Sequence, residues 1–118
     1  MPVIAETEIY NALVHLAGGR VLPDFAPEDT DLPFIVYQAV GGEPINFVTG
    51  EQPDKQPVRM QVSVWAETRM QASDLGQKVE SAIRAATALQ PEVATGRVAT
   101  YDETTRYRGT RQDFYLFC

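Results

Sequence analysis

The fold of this chain is decided by residues 57–89, PVRMQVSVWAETRMQASDLGQKVESAIRAATAL, where the spacing of the apolar residues changes from a strand period to a helix period. In the first part of this stretch apolar residues alternate with more polar ones: Val58, Met60, Val62 and Val64. Such alternation predicts a strand that has one buried face and one more polar face.

Beyond Trp65 the apolar residues form a stripe at helical spacing: Leu75, Val79, Ala82, Ile83, Ala86 and Leu89. Thr68 and Gln71 fit a capping box, in which the hydroxyl accepts from a backbone N–H of the first turn and the amide reaches back. We therefore expect a helix that begins after Thr68 and continues to Leu89. About twenty residues at roughly 1.5 Å each would cross a small sheet.

The remaining elements are predicted to complete one domain over residues 1–118. A helix over 6–17 ends at a glycine pair, and a proline-rich, acidic connection over 20–33 includes a short edge strand at 20–22. Further strands are expected at 34–40, 97–102 and 111–118. The order α-β-β-α-β-β and an antiparallel sheet of four to five strands indicate an α+β two-layer sandwich with two helices.

The composition is that of a folded protein that needs no disulfide. The chain has 118 residues, of which 44% are hydrophobic and 22% are charged, and its one cysteine is Cys118. No apolar run approaches the roughly eighteen residues of a membrane span, and the first residues do not resemble a signal peptide. We therefore expect no membrane partner and a protein that is made and used in a cytoplasm.

The charge is divided unevenly along the chain. Residues 1–56 hold nine acidic and two basic residues, a net charge of −7, whereas residues 57–118 hold seven acidic and eight basic residues, a net charge of +1. The acidic balance argues against a protein that binds phosphates. The uneven charge belongs either to solvated surface or to an acidic patch that meets a more basic patch on the next copy.

A long connection over residues 41–57, GGEPINFVTGEQPDKQP, is predicted to be a flexible loop, and we call it the arm. Seventeen residues is long for a hairpin connection, and loops of this length often carry function. Its centre holds Ile45, Asn46, Phe47 and Val48. These apolar residues either fold back onto the core or bind a partner.

Several aromatic residues are expected on the sheet face opposite to the core. Ile35, Tyr37, Trp65, Tyr101, Tyr115 and Phe117 lie off the most obvious core parity. If both helices cover one sheet face, the other face is a candidate interface. Alternatively, a helix or the 20–33 connection covers it.

A basic and aromatic cluster is expected at the hairpin over residues 106–111. It contains Arg106, Tyr107, Arg108 and Arg111. Such a cluster could bind a peptide or nucleic acid, although arginines at an exposed turn are more often solvated or paired with the acids of a neighbour.

The residues of enzyme chemistry are sparse. His15 is the single histidine, Cys118 is terminal, and neither glycine pair forms a dinucleotide or phosphate loop. The acids of the 20–33 connection lack the spacing of a calcium-binding loop. We therefore expect no catalytic residues, no metal and no cofactor, and an enzyme is disfavoured.

The order of these segments resembles the tail-completion proteins of long-tailed bacteriophages and prophages, also called tail terminators or tail-to-head joining proteins. The resemblance is carried by GGRV at 18–21, LPFIVYQAVGG at 32–42, VSVWAET at 62–68 and QDFYLF at 112–117. Each segment alone is a general pattern, so the specificity lies in their order and spacing.

The resemblance implies two helices packed on an antiparallel sheet, and a ring, typically a hexamer, that caps the tail tube. The implied partners are other copies of the chain, the tail tube protein and the head–tail connector protein, with DNA only passing through the channel. The implied location is the host cytoplasm during assembly and then the virion tail. The alternative is a bacterial adaptor that uses the 106–111 hairpin to bind a peptide or nucleic acid.

Overall fold

The computed structural model describes residues 4–51 and 55–118, and it confirms the α+β fold class. Within these residues the chain forms two α-helices and one six-stranded sheet. The elements are α1 Ala5–Leu13, β1 Val21–Pro23, β2 Phe34–Ala39, β3 Pro57–Ala66, α2 Arg69–Ala85, β4 Glu92–Val93, β5 Val98–Tyr101 and β6 Arg108–Phe117. Short 3₁₀ turns follow each helix, at Val14–Leu16 and Thr87–Leu89.

The sheet is centred on β3 and β6, which pair antiparallel from Pro57 opposite Phe117 to Ala66 opposite Arg108. The strand order is β1-β2-β3-β6, and both β4 and β5 pair with the outer edge of β6. The pair β1–β2 is parallel, which differs from the predicted antiparallel sheet. The connection over 24–33 permits this, because it carries the chain back to the start of the sheet before β2 begins.

Both helices pack on one face of the sheet. A single core cluster joins Ile9 and Leu13 of α1 to α2 and to the alternating residues of β3 and β6. The fully buried members with the largest side chains include Phe114, Met60, Ile83 and Leu116. The opposite face, which neither α1 nor α2 covers, is called the helix-free face below.

The predicted capping box of α2 is confirmed. The Gln71 N–H donates to the Thr68 hydroxyl at 3.1 Å, and the Gln71 side-chain carbonyl accepts from the Glu67 N–H at 3.2 Å. The predicted end of the helix at Leu89 is wrong, because α2 ends at Ala85. Ala86 leaves the helical conformation with a ψ of 73°, and the 3₁₀ turn that follows still buries Leu89 completely.

The first helix is also shorter than predicted. The expected helix over 6–17 is α1 followed by a 3₁₀ turn, and the chain then reverses at Gly18 and Gly19, whose φ angles are +59° and +85°. Glycine tolerates this left-handed conformation because it has no Cβ.

The expected position of Ile35 and Tyr37 on the uncovered sheet face is wrong. Ile35 pairs with Val64 and Tyr37 with Val62, and all four side chains belong to the core. Burial raises the pKa of the Tyr37 hydroxyl. The sequence FIVYQA is apolar at both parities, so the pairing register alone decides which residues face the helices.

The molecule is longer than a compact domain of its length. Its Cα atoms extend over 51 × 25 × 25 Å with a radius of gyration of 15.1 Å, whereas a compact chain of this length has a radius of about 13.5 Å. Residues 46–51 of the arm are exposed throughout.

Candidate interaction surfaces

The helix-free face has aromatic residues at both ends and polar residues in the middle. Directly paired residues of adjacent strands share a face, so β3 and β6 together present Pro57, Arg59, Gln61, Ser63, Trp65, Gly109, Arg111, Asp113, Tyr115 and Phe117. Trp65, Tyr115 and Phe117 therefore lie on the face expected from the sequence, and Arg111 lies on it as well. The expected position of Tyr101 on this face is wrong, because Tyr101 pairs with Arg108, which pairs with Ala66 on the helix side. The aromatic side chains on this face form two separate patches, one at each end, and not the single surface expected from the sequence.

An ion pair lies between the polar middle of this face and the Tyr115 end. Arg59 contacts Asp113 with a nitrogen–oxygen distance of 2.8 Å, and its guanidinium lies 5.6 Å from the centre of the Tyr115 ring. The Asp113 side chain is only 12% exposed. Sequence reasoning missed this pair, since the two residues are 54 positions apart.

One aromatic end forms a cleft of about 340 Å³, which we call the loop cleft. Trp65 lies opposite Phe34 in register, and the Phe34 and Tyr107 rings meet edge to face with 6.2 Å between their centres. Residues of the 24–30 segment form its outer wall. The alternative that the 20–33 connection covers the helix-free face therefore applies to this end, where Phe34 is only 7% exposed.

The other aromatic end forms an open groove of about 800 Å³, which we call the arm groove. Its apolar lining comes from the base of the arm, from the start of β3 and from the end of β6: Pro44, Ile45, Pro57, Tyr115, Leu116 and Phe117. Arg59, Glu43 and Glu92 add both signs of charge. Tyr115 is 43% exposed there.

The arm is fixed at its base. The backbone N–H of Arg59 donates to the Gly41 carbonyl at 2.7 Å, and the backbone N–H of Gln56 donates to the Cys118 carbonyl at 3.0 Å. A Cβ on Gly42 would collide with the carbonyl oxygen of Pro57, so only glycine permits the arm to leave the sheet so close to β3.

Beyond this base the arm presents apolar side chains outward. Ile45 is half-buried in the arm groove, whereas Phe47 is 48% exposed and Val48 is fully exposed. Asn46 is exposed beside them, and the Gly50 N–H donates to the Phe47 carbonyl in a turn. Residues 52–54 of the predicted loop lie outside the described residues.

The three arginines of the predicted basic hairpin do not form one patch. β6 begins at Arg108, not at residue 111 as expected, so Arg108 and Arg111 are both strand residues three positions apart and point to opposite faces. Arg108 stacks on Tyr101, 5.2 Å from the ring centre. Arg106 occupies the preceding turn with a φ of +64°.

Among residues 4–51 and 55–118 no three His, Cys, Asp or Glu side chains are grouped as a metal site would require. In the same part of the chain no helix is long and apolar enough to span a membrane.

The comparison with protein families identifies the chain. The family model described as tail completion protein gp17 matches residues 8–115. The chain belongs to this family. No curated protein matches it.

The match to the tail completion family begins within α1 and ends within β6, so it includes every strand and both helices at least in part. The chain is therefore a structural protein of a bacteriophage tail and takes part in virion assembly. The matched range contains the arm and the described residues that line the loop cleft, whereas Leu116 and Phe117 of the arm groove lie just beyond it.

Proposed function

We propose that this protein caps the tail tube as a ring of identical subunits and joins the tail to the head. Its family places it in the tail, and the observation that carries the finer proposal is the arm. Phe47 and Val48 stand exposed beyond a base that hydrogen bonds fix to β3 and to the chain end. Exposed apolar residues at a fixed position are typical of a surface that a partner covers.

Ring closure requires two different patches on each subunit, because a contact repeated around an axis is head to tail. The arm and the helix-free face provide such patches, since the arm extends from one end of the sheet and the aromatic patches lie on its surface. The uneven charge also favours such a contact, because an acidic surface of one subunit would meet a more basic surface of the next. Residues 1–56 carry a net charge of −7 and residues 57–118 a net charge of +1. The proposed ring is a hexamer on the tail.

The proposed partners besides the neighbouring subunits are the tail tube protein and the head–tail connector protein. The ring stops growth of the tube by occupying its end and presents its other surface to the connector. DNA passes through the channel of the ring without being held, which is consistent with the net charge of −6. Assembly takes place in the host cytoplasm before the ring becomes part of the virion.

The substitution Phe47→Asp tests the role of the arm. Because Phe47 is exposed in the single chain, the variant should fold with a free energy of unfolding within about 0.5 kcal/mol of the parent. It should nevertheless yield few complete virions, since a carboxylate at the tip opposes burial in a partner. Plaque titre and electron microscopy of the particles measure the outcome.

Met70→Asp is the matched control, because Met70 is 84% exposed but lies on α2, away from the arm. It should leave virion yield unchanged. Normal yields from the Phe47→Asp phage would exclude the arm from assembly. A phage that lacks the gene and still makes heads joined to tails of normal length would overturn the proposed function as a whole.

A further inference from the structure

We infer that the tip of the arm of one copy binds in the arm groove of the next copy, so that Phe47 and Val48 lie against Tyr115 and Phe117 of that neighbour. This inference rests on the proposed ring and names the contact that closes it. The occupant of the groove is thus a second copy of this chain, not the tube or the connector.

The chemistry of the two surfaces matches. The tip, PINFVTG at 44–50, carries no charged residue. The groove is lined mainly by apolar and aromatic side chains, and its charged residues are of both signs. Phe47 and Val48 can pack against the Tyr115 and Phe117 rings, because aromatic rings make favourable contacts through both their faces and their edges.

The reach of the arm matches the width of the subunit. Six residues separate Gly42 at the base from Val48 at the tip, so an extended arm spans about 20 Å. The narrow dimensions of the molecule are both 25 Å. Equivalent points on copies that stand side by side are therefore separated by about one arm length, and the tip arrives near the base of the neighbouring arm, where the groove lies.

The other aromatic concavity is a poorer acceptor. Among the described residues that line the loop cleft, Asp24, Glu28 and Asp102 are acidic and none is basic. The tip is flanked by Glu43 and Glu51, which these carboxylates would repel. The groove of the same chain is also disfavoured, because Ile45 already forms one wall of it and the turn between Phe47 and Gly50 leaves Val48 fully exposed.

The experiment uses tails isolated from a phage whose copy of the protein carries Val48→Cys and Tyr115→Cys. Cys118→Ser removes the native thiol, which packs against the core side of the sheet. Treatment with a short bismaleimide and electrophoresis under denaturing conditions then report which chains are joined. We expect loss of the monomer band and a ladder of dimers and higher multimers that ends at the closed ring.

The matched control pairs Val48→Cys with Met70→Cys, because Met70 is exposed on α2 outside the groove. It should stay monomeric. Tails that contain the double variant but give only monomers, or monomers joined within one chain, overturn the inference while leaving the capping function intact. A dimer that never extends further also overturns it, since a head-to-tail contact cannot stop at two copies.

A charge exchange tests the same contact through assembly. Val48→Lys and Tyr115→Glu should each lower the titre of complete virions, and the combined variant should recover it, because a lysine then meets a glutamate across the interface. Failure of the pair to recover titre, when both single variants fold, also contradicts the inferred contact.

Discussion

Arg59 of β3 reaches diagonally across the sheet to Asp113 of β6, and its Nε and Nη2 atoms both lie 2.8 Å from the same carboxylate oxygen. This pair borders the arm groove, and with Gln61, Ser63 and Arg111 it makes the stretch between the two aromatic ends polar. Trp65 and the position opposite Tyr115 are six strand residues apart, which is about 20 Å. The aromatic side chains that β3 and β6 present on this face are therefore confined to its two ends.

Replacing Arg59 by Met should destabilise the fold, because Asp113 would remain as a poorly exposed carboxylate without its partner. The double variant Arg59→Met with Asp113→Asn should recover part of the loss, since an amide costs less to leave in this position. Urea unfolding of the parent, both single variants and the double variant measures the coupling. Purely additive effects would mean that the pair contributes nothing beyond its separate side chains.

The sequence predicted the fold best where the spacing of its apolar residues fitted only a strand or only a helix. The alternation through β3 and the stripe through α2 predicted the central unit, and Thr68 with Gln71 predicted the start of the helix. The arm was also predictable, because its length and its glycines and prolines exclude a tight hairpin. These signals are local, and they do not depend on which strands become neighbours.

The faces of the sheet could not be predicted in the same way. β2 is apolar at both parities, so only its register against β3 places Tyr37 in the core. The division of Arg108 and Arg111 between two faces depends on where β6 begins, and sequence signals locate such boundaries poorly. The two-residue strand β4 has no periodic signal at all.

The close contact between Gly76 of α2 and Thr110 of β6 gives the next prediction. A Cβ at Gly76 would lie 2.6 Å from the Thr110 hydroxyl oxygen and 3.4 Å from its Cβ. Gly76→Ala gains about 1 kcal/mol of helix propensity, but the overlap costs about 1–3 kcal/mol. We expect a net loss of stability in the parent.

In a Thr110→Ala background the same Gly76→Ala change should be stabilising, because the hydroxyl that causes the closest overlap is gone and ordinary contact with the Cβ of residue 110 remains. The Arg97 side chain, whose Cδ would lie 3.2 Å from the new Cβ, is flexible and can move aside. Urea unfolding of the four chains tests this change of sign. An equal loss in both backgrounds would show that Thr110 does not limit the approach of the helix.

Arg69 should stabilise the β5–β6 hairpin specifically. Its two terminal nitrogens donate to the carbonyls of Gly109 and Thr100, both at 2.7 Å, and so join the start of α2 to both strands. A lysine cannot reproduce this fork. Arg69→Lys should cost about 1–3 kcal/mol and increase amide hydrogen exchange in β5, while exchange in β2 stays as in the parent.

Arg84→Ala is the control for this prediction, because Arg84 is 59% exposed and pairs with Glu80 one helical turn away. Its loss should cost only about 0.3–0.5 kcal/mol. If Arg69→Lys and Arg84→Ala affect stability and β5 exchange equally, the two carbonyl contacts have no special role.

Glu80 should make the stability of the protein depend on pH in the acid range. Its carboxylate accepts hydrogen bonds from Gln112 and Arg84 and lies 2.9 Å from Arg97. The Gln112 hydrogen bond is the main cause that lowers the pKa of Glu80 from its ordinary value of 4.5, and Arg84 and Arg97 lower it further. Because the folded pKa lies below the unfolded one, the stabilisation is complete above pH 4.5 and is lost as the pH falls through the folded pKa.

Glu80→Gln should therefore flatten the acid limb of stability against pH, measured by urea unfolding in steps from neutral pH downward. The parent should lose stability more steeply than the variant below pH 4.5, so that the two curves converge. Ile9→Val serves as the control, since Ile9 is buried in the core on α1 and carries no titrating group, so the change should lower the curve by a constant amount. Parallel curves for Glu80→Gln and the parent would exclude Glu80 as a source of acid sensitivity.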